Sequence, residues 1–203
     1  MEQKNLIADP GPLGLAAFAL TTFILSLSNA SLMPASLGAL FLTLGLFYGG
    51  AAQVIAGYVE FKKNNTFGAT AFTSFGFFWI SLSSMVYLEK TGVLNFGADA
   101  KAAVGFFLLA WTIFTAYMWI ATFRLNVGLL VTFSLLMVTF VLLVLGEFAI
   151  ISGPLAGYFG LATAFAAWYC SAAGIINPIF GRTVLPMGDL TVKPAVKASR
   201  KTA

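Results

Sequence analysis

Thr22, Ser26 and Asn29 stand at i, i+4 and i+7, so on a helix they share one face. Thr70, Ser74, Ser81 and Ser84, at i, i+4, i+11 and i+14, do the same. Gln53 interrupts the apolar run from Ala51 to Ile55, and Asn177 ends a later one. Hydroxyls and amides can hydrogen-bond a carboxylate or a small neutral solute without gripping it as Arg would, and weak sites in series suit conduction. The same groups also bond helix to helix in membranes. Two stripes plus Gln53 favour a path lined by Thr22, Asn29, Gln53, Thr70 and Ser74, with Phe18 and Phe75 close enough to narrow it. Glu60 and Glu147 are the carboxylates at the ends of apolar segments. A carboxylate in hydrocarbon is costly, so each is expected to face protein or water. Glu60 is the candidate proton site, with Lys63 as a candidate partner.

Other chemistries lack their residues. The chain has no His and one Cys, Cys170, so neither a metal cluster nor a nucleophile paired with a base is expected. The expectation is no metal, no cofactor and no enzyme. Asn177-Pro178-Ile179 is the nearest approach to an aquaporin Asn-Pro-Ala box. A channel for a small neutral solute such as urea would use a similar lining and stands as the alternative.

The elements that must carry these residues are membrane helices. The 203 residues are 60% hydrophobic and 9% charged, too few charges for a water-facing surface. Crossing the bilayer takes roughly 20 apolar residues. Six segments qualify: Leu13–Met33, Leu37–Val59, Phe67–Leu88, Ala103–Phe123, Val127–Ile151 and Leu155–Phe180. The fold expected is an all-α integral membrane protein of six transmembrane helices. Its parts are an N-terminal segment (1–12), a transport domain (13–181) and a C-terminal tail (182–203), with no cleaved signal peptide. With the N-terminus cytoplasmic, Lys4, Lys62, Lys63, Arg124, Arg182, Lys193, Lys197, Arg200 and Lys201 fall inside, and Lys90 and Lys101 outside. The positive-inside bias therefore places both termini in the cytoplasm, and the membrane expected is the cytoplasmic (inner) one. The net charge of +4 belongs to loops and tail, not to a nucleic-acid groove.

Phe67-Gly-Ala-Thr-Ala-Phe72 is echoed by Phe159-Gly-Leu-Ala-Thr-Ala-Phe165. Unless the echo is chance, it predicts two three-helix halves, which an odd helix count makes inverted. Gly153-Pro-Leu-Ala-Gly157 has the spacing of closely packed membrane helices, within a protomer or between protomers.

Three separated blocks resemble the acetate uptake transporter family, the group of bacterial succinate–acetate permeases and fungal acetate transporters. The first is Asp9-Pro-Gly-Pro-Leu-Gly-Leu15. The second runs from Phe47-Tyr-Gly-Gly-Ala-Ala-Gln53 through Ala56-Gly57 and Glu60-Phe-Lys-Lys63 to Asn65-Thr-Phe-Gly68 and Thr70-Ala-Phe-Thr-Ser74. The third is Phe180-Gly-Arg-Thr-Val-Leu-Pro186. The resemblance implies six-helix protomers assembled as a homo-hexamer. It also implies transport of acetate, in some members succinate or other short carboxylates, as proton symporters or anion channels. It implies a constriction at Phe18, Phe75 and Leu136. Asp9 departs from the signature Asn, which changes the charge at one mouth and could cap the first helix. Phe75 stands in place of Tyr, and Ser28 where some relatives carry His.

Overall fold

The computed structural model describes residues 7–191. Lys4, Lys193, Lys197, Arg200 and Lys201, on which part of the orientation argument rests, lie outside the described residues. The helices are α1 (Gly11–Asn29), α2 (Leu40–Leu46), α3 (Gln53–Lys62), α4 (Thr66–Lys90), α5 (Ala100–Thr122), α6 (Val127–Glu147) and α7 (Leu155–Phe180). A π-helical turn, Phe47–Ala52, joins α2 to α3 into one span, so six stretches are long and apolar enough to cross a membrane. Among the described residues there is no strand, and Asn126 meets Asp189 in an isolated bridge. Phe47, Phe106, Ile113, Ile120 and Ile179 each leave more than 60% of their surface outside the protein, which hydrocarbon accommodates and water does not.

Span ends follow local chemistry. Asn65 Oδ1 accepts from Gly68 N–H at 3.1 Å and opens α4; Asn126 Oδ1 accepts from Leu129 N–H at 2.9 Å and opens α6. Two spans stop earlier than hydropathy suggests. α1 ends at Asn29 because Ser31 turns to φ 57°, and α6 ends at Glu147 because Ala149 turns to φ 55°. Asn29 and Glu147 therefore sit at helix ends on one face of the bundle, with Lys90 and Lys101. The other face, called here the N-terminal face, carries Asp9, Lys62, Lys63, Arg124 and Arg182.

The spans close a ring in chain order. α1 packs along α7, α3 along α4, α5 along α6 and α6 along α7, with a sparse seam between α4 and α5. Small residues set the spacing. A Cβ on Gly49 would strike the Thr21 side chain, and one on Gly57 would lie 2.6 Å from the backbone nitrogen of Thr73. Hydroxyls inside the spans mostly bond their own helix: Thr21 to Ala17, Thr112 to Leu108, Thr132 to Gly128 and Thr163 to Phe159. Thr139 and Thr163 also meet across α6 and α7 at 3.2 Å.

Candidate transport path

The π-turn positions the first functional side chain. It contains no proline; instead Gly49 and Gly50, with Gly45 just before it in α2, allow the backbone to close on Thr21, Ile80 and Ser83. One extra residue in a helix turns everything after it by about 100°. The residue that follows is Gln53, 1% exposed, and it lines a cavity enclosed by α1, α3, α4 and α6. Its Oε1 has no hydrogen-bond partner among the described residues.

The cavity, about 190 Å³, has room for several waters or a solute of a few non-hydrogen atoms. It runs from Asp9, Gly11, Glu60 and Asn65 at the N-terminal face to Phe18, Phe75, Phe133 and Leu136. Seven residues separate Gly11 from Phe18, Glu60 from Gln53, and Leu129 from Leu136. Each interval spans about 10 Å of helix, so Gln53 lies level with the Phe18, Phe75 and Leu136 side chains. Phe18 and Phe75 meet at a centroid distance of 5.8 Å; Phe18, Phe75 and Leu136 are each no more than 6% exposed. Phe75 is braced from behind by Phe114 at 5.3 Å, Phe133 at 6.1 Å and Trp111 at 6.3 Å. Farther on, Phe78 packs against Trp79, Phe107, Trp111 and Phe140. The recess therefore ends in a dry aromatic layer.

Its mouth is charged. Asp9 Oδ1 accepts from Lys63 Nζ at 2.7 Å and from Gly11 N–H at 3.3 Å, so it both pairs with the lysine and serves the start of α1. Lys63, the candidate partner of Glu60, closes its ion pair with Asp9 in front of α1 instead and reaches Glu60 by charge alone. Glu60, 2% exposed, instead accepts from Asn65 Nδ2 at 3.0 Å through Oε2.

Phe18, Phe75, Leu136, Gln53 and Glu60 thus come together around one cavity, while other residues read from the sequence lie elsewhere. Thr22 lies one turn beyond Phe18, 6% exposed, with its Oγ1 unpartnered. Asn29 lines a separate pocket on the far face. Thr70 and Ser74, half-buried, do not line the cavity; Ala71 and Phe75, the next residues along α4, do. Asn65 and Thr132 line it and carried no lone sequence signal. Asn65 reads as loop, and Thr132 is one hydroxyl in an apolar helix. Asn177 holds the segment after α7, accepting from the N–H groups of Val184 and Leu185 at 2.8 and 2.9 Å.

An apolar constriction under a polar, partly unsatisfied vestibule suits brief desolvation of a small solute with one apolar end. The amide of Gln53 can donate to a carboxylate or accept from a carboxylic acid.

Residues 1–191 match the GPR1/FUN34/yaaH family. Over 185 residues the chain is 40% identical to the Escherichia coli (strain K12) protein named "Succinate-acetate/proton symporter SatP", spanning 90% of this chain and 96% of that one. It is 35% identical over 217 residues to "Acetate permease A" of Emericella nidulans, spanning 98% and 72%. Among solved structures, "Structure of the bacterial acetate channel SatP" superposes with a TM-score of 0.84 at 39% identity, over 90% of this chain and 99% of that one.

Proposed function

The chain belongs to the GPR1/FUN34/yaaH family, and from that premise we propose that it carries acetate and related short carboxylates across a membrane. It is a multi-pass membrane protein and not an enzyme. The observation that carries the reading is the cavity that ends on Phe18, Phe75 and Leu136 with the Gln53 amide level with them. The methyl group of acetate meets the ring while its carboxylate is met first by Gln53, level with the ring, and then by Thr22, one turn beyond it. Acids larger than the gap are held back. The relatives favour a carboxylate over urea as the cargo. Both termini lie in the cytoplasm, as the lysine and arginine bias supports, and the likeness to a bacterial symporter supports the inner membrane as its place. The protomer assembles as a hexamer, each copy with its own path.

Two relatives are described as a proton symporter and as a channel, so coupling is the property to measure first. Labelled acetate uptake into proteoliposomes, with and without an imposed proton gradient, is expected to exceed that of empty vesicles. Accumulation that collapses with an uncoupler establishes symport; voltage-dependent equilibration blind to the proton gradient establishes a channel. No acetate flux through folded protein overturns the reading.

Glu60 is the proposed proton site because it is the buried carboxylate on the cavity wall. In Glu60→Gln the amide oxygen still accepts from Asn65, so the fold is expected to persist. Gradient-driven accumulation is expected to fall at least tenfold while downhill acetate exchange continues. Accumulation equal to wild type would assign the proton elsewhere.

A further inference from the structure

The far face carries charged groups that the cavity above does not use. A second pocket of about 360 Å³ opens there, lined among others by Asn29, Lys101, Gly146, Glu147 and Ser152. Asn29 closes α1, Glu147 closes α6 and Lys101 stands in the first turn of α5, so three helix ends bring three polar side chains to one recess. The recess owes its shape to the chain after α6, where Ala149 at φ 55° and Gly153 at φ 101° fold the backbone around the helix end. Lys101 acts on Glu147 by charge across this pocket, yet they do not close a salt bridge. The one ion pair among the described residues is Lys63–Asp9 at 2.7 Å. The two mouths therefore differ. On the N-terminal face the cavity-side lysine is already engaged by a carboxylate of the chain itself. On the far face Lys101 is exposed and has no salt-bridge partner among the described residues.

We infer that Lys101 and Asn29 form a capture site for small carboxylate anions at the far mouth, in which Glu147 is the resident competitor for the lysine. The site deepens the carboxylate reading above and rests on it. Lys101 supplies the charge that draws an anion into a recess. Asn29 supplies an amide donor and is the last member of the α1 face that runs through Ser26 and Thr22 to Phe18. Thr22 Oγ1, buried and unpartnered, is a hydrogen-bonding group on that face between the pocket and the ring.

Right-side-out and inverted vesicles from the same membranes read the two faces separately. A unit charge a few ångströms from a carboxylate in a wet pocket changes its binding about threefold to tenfold. Lys101→Gln is expected to raise the acetate concentration for half-maximal initial flux from the far face by that factor and to leave the half-maximal concentration from the N-terminal face at its wild-type value. Lys101→Arg keeps the wild-type value, and Glu147→Gln lowers it. Normal elution of each detergent-solubilised variant establishes that it folds. A Lys101→Gln value equal to wild type, or shifted equally from both faces, overturns the capture site; an unchanged Glu147→Gln value overturns the competitor role. Wild-type vesicles that carry no acetate from either face overturn the carboxylate reading itself and this site with it.

Discussion

Gly157→Leu is expected to leave little folded protein. A Cβ at this position would collide with the backbone nitrogen of Ala30 and lie 2.6 Å from Ala30 Cα and from the Asn29 carbonyl carbon. Backbone atoms cannot swing aside as a side chain can. The only relief is to push α7 from α1, and that pairing is the most extensive in the bundle. Overpacking at one core site costs about 1–3 kcal/mol when neighbours can adjust; here they are main chain, and leucine adds three more carbons, so about 3 kcal/mol or more is expected. Asn29 and Glu147 line one pocket only while α1, α6 and α7 stay in register, so transport is lost with the packing. Gly146→Ala is the control, because a Cβ there meets nothing within 4 Å. The measurement is the fraction of solubilised protein that stays monodisperse after graded heating. A Gly157→Leu curve that overlays the Gly146→Ala curve would refute the packing argument.

The same glycine shows how far sequence spacing carries. Gly153 and Gly157 have the four-residue separation of a helix-packing motif, but Gly153 adopts φ 101° and belongs to the turn before α7. Gly157 does the packing, with Gly160 against Ser26 on the next turn. The pairing lies within the protomer, between α1 and α7. Spacing identifies a small-residue face, but the partner of that face is a tertiary fact. The six spans were legible because lipid imposes length and hydropathy on each of them. The π-turn was not, because nothing in Phe47-Tyr-Gly-Gly-Ala-Ala52 demands an extra residue per turn. Its causes are Thr21, Ile80 and Ser83 on other helices, where α1 and α4 press on the glycines.

The path was legible in a similar proportion. Glu60 and Gln53 stood out because carboxylates and amides are rare in apolar runs, and both line the cavity. The α4 stripe of Thr70 and Ser74 has the right period, but period fixes a face and not its direction. The cavity takes Ala71 and Phe75 instead, one residue and about 100° away. Thr73 of the same helix lies against Gly57. Asp9 was legible as a change of charge at the mouth, whereas its grip on Lys63 depends on the start of α1 meeting the turn after α3, far apart in sequence.

Leu136→Ala is expected to widen the range of acids carried. Of the three ring residues, Phe75 is wedged by Trp111, Phe114 and Phe133 and cannot withdraw. Phe18 rests on Phe75. Leu136 is the aliphatic member, and removing three carbons from it opens the ring without disturbing the aromatic brace. One methylene of fit is worth about 10–200-fold in discrimination at a hydrophobic site. The preference for acetate over a carboxylic acid one or two carbons longer is therefore expected to fall about tenfold or more, chiefly through faster flux of the longer acid. A buried leucine truncated to alanine also costs about 2–5 kcal/mol of stability, so flux is to be normalised to folded protein in the membrane. Competition between labelled acetate and a three- or four-carbon acid in the same vesicles measures the ratio directly. If the ratio holds in Leu136→Ala while the protein stays folded, width at this ring does not select the substrate. The discriminating step then moves to the polar groups at and beyond the ring, Gln53 level with it and Thr22 toward the far face.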